Sequence, residues 1–275
     1  MIKDVVVNLS SRSKQDFASD YAISTAAAFG AHVVGIAFVY DAIIPDGMFG
    51  GVPVELIEMQ REESGKLAAG AVQRFQASAK KAGISVESRT MDATVGGGAT
   101  VFAELARRFD LAVVGQAQEE SSASDELMIE AVLFETGRPI LVVPYIQKQG
   151  LKLDRVMVCW DGGRAAARAI ADAMPFLERA KAVELVIVTE EHKREEITGA
   201  SMIEHLSRHG IAAKAKRMSR GDLSVDNVIL SYAADSGADF MVMGGYGHSR
   251  LREFLLGGMT RGILNSMTIP VLMSH

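Results

Sequence analysis

Apolar residues in the second half of the chain gather into five short runs, at 155–160, 183–188, 211–218, 239–243 and 269–273. They are mostly apolar rather than strictly alternating, the pattern of strands buried on both faces of a parallel sheet. Between the runs the apolar period lengthens. Residues 164–179 are alanine-rich, with Ile170, Met174 and Leu177 at helical spacing. Residues 195–208 place Ile197, Met202 and Leu206 likewise and stop before Gly210, as a helix ending in glycine does. Residues 222–236 follow Ser219-Arg220-Gly221 and carry Val225, Val228, Ile229 and Tyr232. Strands alternating with helices predict a doubly wound α/β sheet with right-handed crossovers.

The first half repeats this order. Val5-Val6-Val7 corresponds to Val156-Met157-Val158 at a shift of 151, and the same shift pairs 31–38 (AHVVGIAF) with 182–189 (AVELVIVT). Gly83-Ile84 then pairs with Gly210-Ile211 at 127, residues 110–115 (DLAVVG) with 239–244 (DFMVMG) at 129, and 139–142 with 270–273 at 131. The repeat predicts two tandem five-stranded domains, 1–147 and 151–275, joined by a short polar linker. The fall from 151 to 127 leaves 24 extra residues in the first half, placed at about 41–63. That insertion opens with Pro45, Gly47, Gly50, Gly51 and Pro53 among Ile43, Ile44, Met48 and Phe49. It is expected to cover a sheet end or contact a partner subunit, with a helix beginning at Val54.

Composition narrows the class of function. With 48% hydrophobic and 23% charged residues the chain has the balance of a globular protein, and a net charge of −5 lacks the basic face of a general nucleic-acid binder. No apolar run reaches the length of a membrane span. The start, MIKDVVVNLSS, turns polar too quickly for a secretory leader, and the single Cys159 excludes an intramolecular disulfide framework. A cytoplasmic location is expected, with Cys159 as a buried thiol in its apolar run.

The candidate chemistry sits after the fourth strand of the second half. Residues 243–264 (MGGYGHSRLREFLLGGMTRGIL) carry glycines at 244, 245, 247, 257, 258 and 262. A strand that ends in glycine and turns toward a helix start can aim backbone N–H groups at a phosphate, with the helix dipole adding to the attraction. Any one of these glycines could equally serve a turn. The first strand of this half runs into Cys159-Trp160-Asp161-Gly162-Gly163. Ligands of open α/β sheets bind beyond the carboxyl ends of strands where the strand order reverses. Whether Asp161 and Gly244 share that crevice depends on the first and fourth strands being neighbours, which the spacing leaves open.

The order strand–Asp161–helix, strand–Gly-x2-Gly-x9-Gly and a final Pro-led strand resembles the universal stress protein family, over nearly the whole chain as two copies. The resemblance is strong in the second half and fainter in the first. It implies a nucleotide-binding, Rossmann-like fold with strand order 3-2-1-4-5, which would bring Asp161 and Gly244 together. It also implies ATP or another adenine nucleotide as ligand, with or without magnesium. By position, Gly244, following Met243, and Gly247 would approach the ribose and phosphates, and Gly257, Gly258 and Met259 would cradle phosphate. Asp161 would accept hydrogen bonds at the adenine end, with Cys159 and Val188 lining the base pocket. Gly258 departs from the family pattern, which has Ser or Thr there; Thr260, further along, is a second possible hydroxyl.

The first half reads as a lost site. Ser10 stands opposite Asp161, Gln118 opposite Gly247, and Glu119 and Glu120 follow directly. Gly96-Gly97-Gly98 lacks the Lys-Ser/Thr of a phosphate loop and reads as a turn into 101–108. No Ser-His-Asp order, activated cysteine, paired carboxylates or dinucleotide fingerprint announces catalysis. His205 and His209 lie one helical turn apart beside Glu204, in an order unlike the zinc hydrolases, and no metal is expected. His248 and Arg250 could contact phosphate or face solvent, and Trp160 could stack on a base or simply pack. The expectation is a stress-response protein in which a nucleotide acts as signal or switch and any hydrolysis is slow. The resemblance implies dimers through the final strands, which in a tandem chain could pair within one molecule as a pseudo-dimer. The alternatives are a nucleotide-free adaptor and a slow nucleotide hydrolase.

Overall fold

The computed structural model describes residues 1–11, 15–41, 53–94, 96–118, 122–189, 199–245 and 258–275. The first half runs β1 (Asp4–Asn8), α1 (Phe17–Phe29), β2 (His32–Tyr40), α2 (Val54–Ala82), β3 (Glu87–Ala93), α3 (Gly98–Ala106), β4 (Leu111–Gly115), α4 (Ser122–Glu135) and β5 (Ile140–Val143). The second runs β6 (Val156–Cys159), α5 (Arg164–Leu177), β7 (Val183–Thr189), α6 (Ala200–Arg208), β8 (Ala213–Ser219), α7 (Val225–Ser236), β9 (Phe240–Gly244), α8 (Gly258–Ser266) and β10 (Val271–Ser274). The helix after the insertion starts at Val54 as expected, whereas the insertion's loop at 42–52 lies outside the described residues. The second helix of the second half, expected over 195–208, is described from Ala200.

The strands form one sheet in the order β3-β2-β1-β4-β5-β10-β9-β6-β7-β8. Each half has the doubly wound order 3-2-1-4-5, so β1 lies beside β4 and β6 beside β9. The final strands of the two halves meet within the chain: β5 and β10 pair antiparallel, with Val142 opposite Val271 and Ile140 opposite Met273, and join the halves edge to edge. Closing these edges on each other removes two open strands that would otherwise invite pairing with another chain.

The duplication is kept at the level of single rungs. Val5 pairs with Leu111 and Val156 with Phe240, so the shifts of 151 and 129 land on the same ladder position. Asp110 accepts the N–H groups of Lys3 and Asp4 at 2.8 and 3.1 Å, and Asp239 accepts those of Asp154 and Arg155 at 3.0 and 3.2 Å. One alignment needs correction. Val5 faces Val33 whereas Val156 faces Val183, a shift of 150 rather than 151 for the second strands. A slip of one residue would turn every side chain to the other face of the sheet. With the corrected shift Val33 and Val183 fall on one face, and Phe38 and Val188 on the other.

The two faces bury separate layers. Helices α1, α2, α5 and α6 cover one with Tyr21, Phe75, Phe176 and Leu206; α3, α4, α7 and α8 cover the other with Phe102, Ile129, Ile229 and Ile263. Both layers run across the seam. On the first face the Phe29 ring of α1 meets Phe176 of α5 edge-on at 4.9 Å, and the Arg179 guanidinium lies 4.3 Å from the Phe29 centroid. On the second, Gln116 beyond β4 donates to the Leu264 and Asn265 carbonyls of α8 at 2.8 and 3.1 Å. Among the described residues no helix is long and apolar enough to cross a membrane.

Candidate functional site

In the second half β6 and β9 are paired from Val156–Phe240 to Val158–Val242, so Cys159 and Met243 stand one rung further on. Asp161 and Gly244 thus leave neighbouring strands at their carboxyl ends, at the reversal of strand order. The exposed Asp161 carboxylate folds back to accept the Gly163 N–H at 2.7 Å through Oδ1. Gly162, at φ +77°, makes the turn, and a side chain on Gly163 would crowd that carboxylate at 2.8 Å. Cys159, Met243, Val188 and Met259 all belong to the layer under α7 and α8. Burial, with Asp161's charge second, pushes the Cys159 thiol up to about 12, so the thiolate needed for nucleophilic chemistry is scarce near neutrality. Gly247, His248, Arg250 and Gly257 lie outside the described residues.

The described glycines of the stretch have different physical reasons. A Cβ on Gly244 would lie 2.5 Å from the Ala166 nitrogen and 2.6 Å from the Ala165 carbonyl carbon, because the first turn of α5 rests on the end of β9. One on Gly245 would meet Leu133 of α4 at 2.7 Å, and one on Gly262 would run into Asp226 of α7. These three serve packing. A Cβ on Gly258 meets no atom of the described residues within 4 Å. The first turn of α8 contains no acid. Thr260 is 2% exposed, which turns its hydroxyl away from solvent and against the reading of it as a replacement for the missing one.

The first half also has an open crevice at its strand reversal, a cavity of about 500 Å³ where β1, β2, β4 and β5 end. Ser10 does stand where Asp161 stands in the repeat, but the crevice is not without a carboxylate. Asp16 supplies one from the far end of the β1–α1 loop. Its Oδ2 accepts the Ser10 N–H at 2.8 Å, and its Oδ1 caps α1 by accepting the Ser19 N–H at 3.0 Å. Burial raises its pKa to about 6 against the opposing pull of those two hydrogen bonds. Sequence reasoning missed it by searching at the aligned position; the signal was an aspartate immediately before the helix at 17–29, the place of an N-cap.

The remaining candidates fall to packing. Trp160 packs against the α1/α5 layer. A side chain on Gly98 would press on Tyr40 at 3.0 Å, so that glycine lets α3 begin against the ring. The His205 and His209 rings meet edge to face at 4.7 Å on α6, and no cluster of three or more metal-type side chains occurs among the described residues.

The sequence profile of the universal stress protein family matches residues 152–275. The Synechocystis universal stress protein Slr1230 is 25% identical over 179 residues, which is 62% of this chain and 59% of that relative's length. A universal stress protein from Archaeoglobus fulgidus DSM 4304 superposes with a TM-score of 0.72 at 15% identity, covering 98% of this chain and 97% of its own. A protein of unknown function from Pseudomonas aeruginosa PAO1 gives 0.62 at 14% identity, covering 99% and 92%. At such identities the two solved structures establish the fold over the full length, not the activity. Residues 152–275 therefore belong to the universal stress protein family, and the residues before them repeat its fold within the same chain.

Proposed function

We propose that residues 152–275 bind ATP or a related adenine nucleotide, and that occupancy of this site acts as a signal in a stress response. The observation that carries the reading is the start of α8. Its first turn holds no acid, it begins at glycine, and a side chain at Gly258 would meet none of the described residues. Such a helix start offers unpaired N–H groups and the positive end of its dipole to a phosphate. Asp161, on the strand beside β9, offers an acceptor to the hydroxyl and amine donors at the other end of a nucleotide. Val188, Cys159 and Met243 line the layer between them with apolar surface suited to a base. Magnesium would accompany the phosphates, and hydrolysis is at most incidental to the role.

Thermal unfolding with and without ATP and magnesium tests the reading. Nucleotide at a hundred times its dissociation constant should stabilise the protein by about 2.7 kcal/mol. Asp161→Ala should remove most of that gain while leaving the unliganded melt nearly unchanged. Absence of any shift at millimolar nucleotide would sink the proposal.

A further inference from the structure

The duplication continues into the helices that flank the seam. The shift of 131 that relates β5 to β10 sets Ile129, Val132 and Leu133 of α4 against Thr260, Ile263 and Leu264 of α8, and all six are buried. The same shift sets Glu130 against Arg261. The copies thus keep their core positions and exchange charge at one surface position. Two identical copies meeting symmetrically would bring like charges to like positions, which a tandem chain is free to change. Across the seam α4 and α8 meet through that exchange: Arg261 Nη2 lies 3.5 Å from Oε2 of Glu126, one helical turn before Glu130. Burial and Glu126 push the Glu130 carboxyl up and Arg261 draws it back, so one guanidinium serves both acids.

We propose that Arg261 is a further phosphate-binding side chain of the second crevice, and that α4 of the first half holds it in reserve through Glu126 and Glu130. The inference rests on the nucleotide reading above and names how the first half regulates that site. Arg261 stands three residues beyond Gly258, about 4.5 Å along the helix axis. Helix side chains lean toward the N-terminus, so one as long as arginine extends over the first turn, where the phosphate would lie. The guanidinium fork matches phosphate oxygens with two parallel hydrogen bonds. Its partner in α4 is a weak competitor. At 3.5 Å, with the Arg261 and Glu126 side chains 43% and 29% exposed, the pair is long and partly solvated, a kind that contributes little. A nucleotide phosphate carries more charge than one carboxylate and also meets the helix dipole, so it can take the arginine over. Releasing Arg261 leaves Glu126 and Glu130 facing each other, a cost that the first half imposes on binding in the second.

Calorimetric titration of the full chain with ATP and with adenosine decides it. Arg261→Gln should weaken ATP binding about tenfold, or 1.4 kcal/mol, and leave adenosine, which has no phosphate, unchanged. Arg261→Lys keeps the charge and should recover part of the loss. Glu126→Gln should tighten ATP binding about threefold, the scale of a partly exposed ion pair. That gain should vanish in the Arg261→Gln background, because the acid acts through the arginine. Glu126→Gln carries the test if Arg261→Gln proves unfolded by circular dichroism. Unchanged ATP affinity in a folded Arg261→Gln variant, an equal loss for adenosine, or a Glu126→Gln gain that survives without Arg261 overturns the inference while the nucleotide reading stands. An unaltered chain that binds neither ligand overturns both.

Discussion

The two crevices of this chain open at matching strand ends and carry their carboxylates at different places. Both lie where the first and fourth strands of a half part company, with matching rungs, and Asp110 and Asp239 pin the starts of β1 and β6 in the same way. They differ in where a carboxylate stands relative to a helix start. In the second half Asp161 follows the strand directly, bonds the N–H two residues on, and leaves the first turn of α8 without an acid. In the first half Asp16 comes six residues after Ser10 and occupies the start of α1 itself. The duplicated fold thus keeps its sheet rungs while a carboxylate changes place along the loop after the first strand.

The largest expected effect separates the two strand-end glycines. Gly244→Ala should destabilise the protein by about 3 kcal/mol, the upper end for overpacking, because the obstacle is the backbone of α5 rather than a yielding side chain. Gly115→Ala, whose nearest neighbour would be the Ala18 methyl at 3.9 Å, should be neutral or slightly stabilising in urea unfolding. Similar losses at both positions would break the comparison.

Next comes pH. Asp16 keeps its proton to about 6 in the folded chain against a model-compound value of 3.8, so folding takes up a proton between these values. Its contribution to stability is complete below about pH 4 and is lost as pH rises through 6, a difference of about 2 to 3 kcal/mol. Asp16→Asn keeps an N-cap residue and should flatten that part of the pH profile of the urea midpoint, while Asp161→Asn should leave the profile as it is.

Smaller is the seam. Gln116→Leu removes two hydrogen bonds to the end of α8 and strands their acceptors, at about 1 to 2 kcal/mol. The equivalent position in the other half is Gly245, which works in the opposite way by admitting Leu133. The smallest effect sharpens the nucleotide reading. Gly258→Ser supplies the hydroxyl that the family pattern has, in space that none of the described residues fills, and should tighten ATP binding in calorimetry by about 0.5 to 1.5 kcal/mol.

Much of this was legible in the residues. The repeat predicted the alternation of elements, and every strand of the second half lies within a few residues of its apolar run. The single-residue slip at the second strands arose because apolar runs score alike at neighbouring shifts, whereas hydrogen-bonded register and facing do not. The aspartate and glycines of the second crevice stood out by their order. Asp16 did not, since the loop carrying it has to fold back before its carboxylate meets the Ser10 N–H. Nor could sequence sort the glycines, as Gly244, Gly245 and Gly262 owe their identity to backbone or side chains distant along the chain.

What the sequence by itself determined was local and periodic: strand and helix alternation, the duplication, the single buried thiol and the run of glycines before α8. Apolar period and turn chemistry act over a few residues, so they can be read without coordinates. The tertiary structure alone decided the antiparallel register in which β5 meets β10 and that Gly244 yields to α5. It also decided that Asp16 brings a carboxylate into the first crevice. Each of these depends on which atoms come within a few ångströms across loops and between halves, and spacing along the chain does not carry that distance.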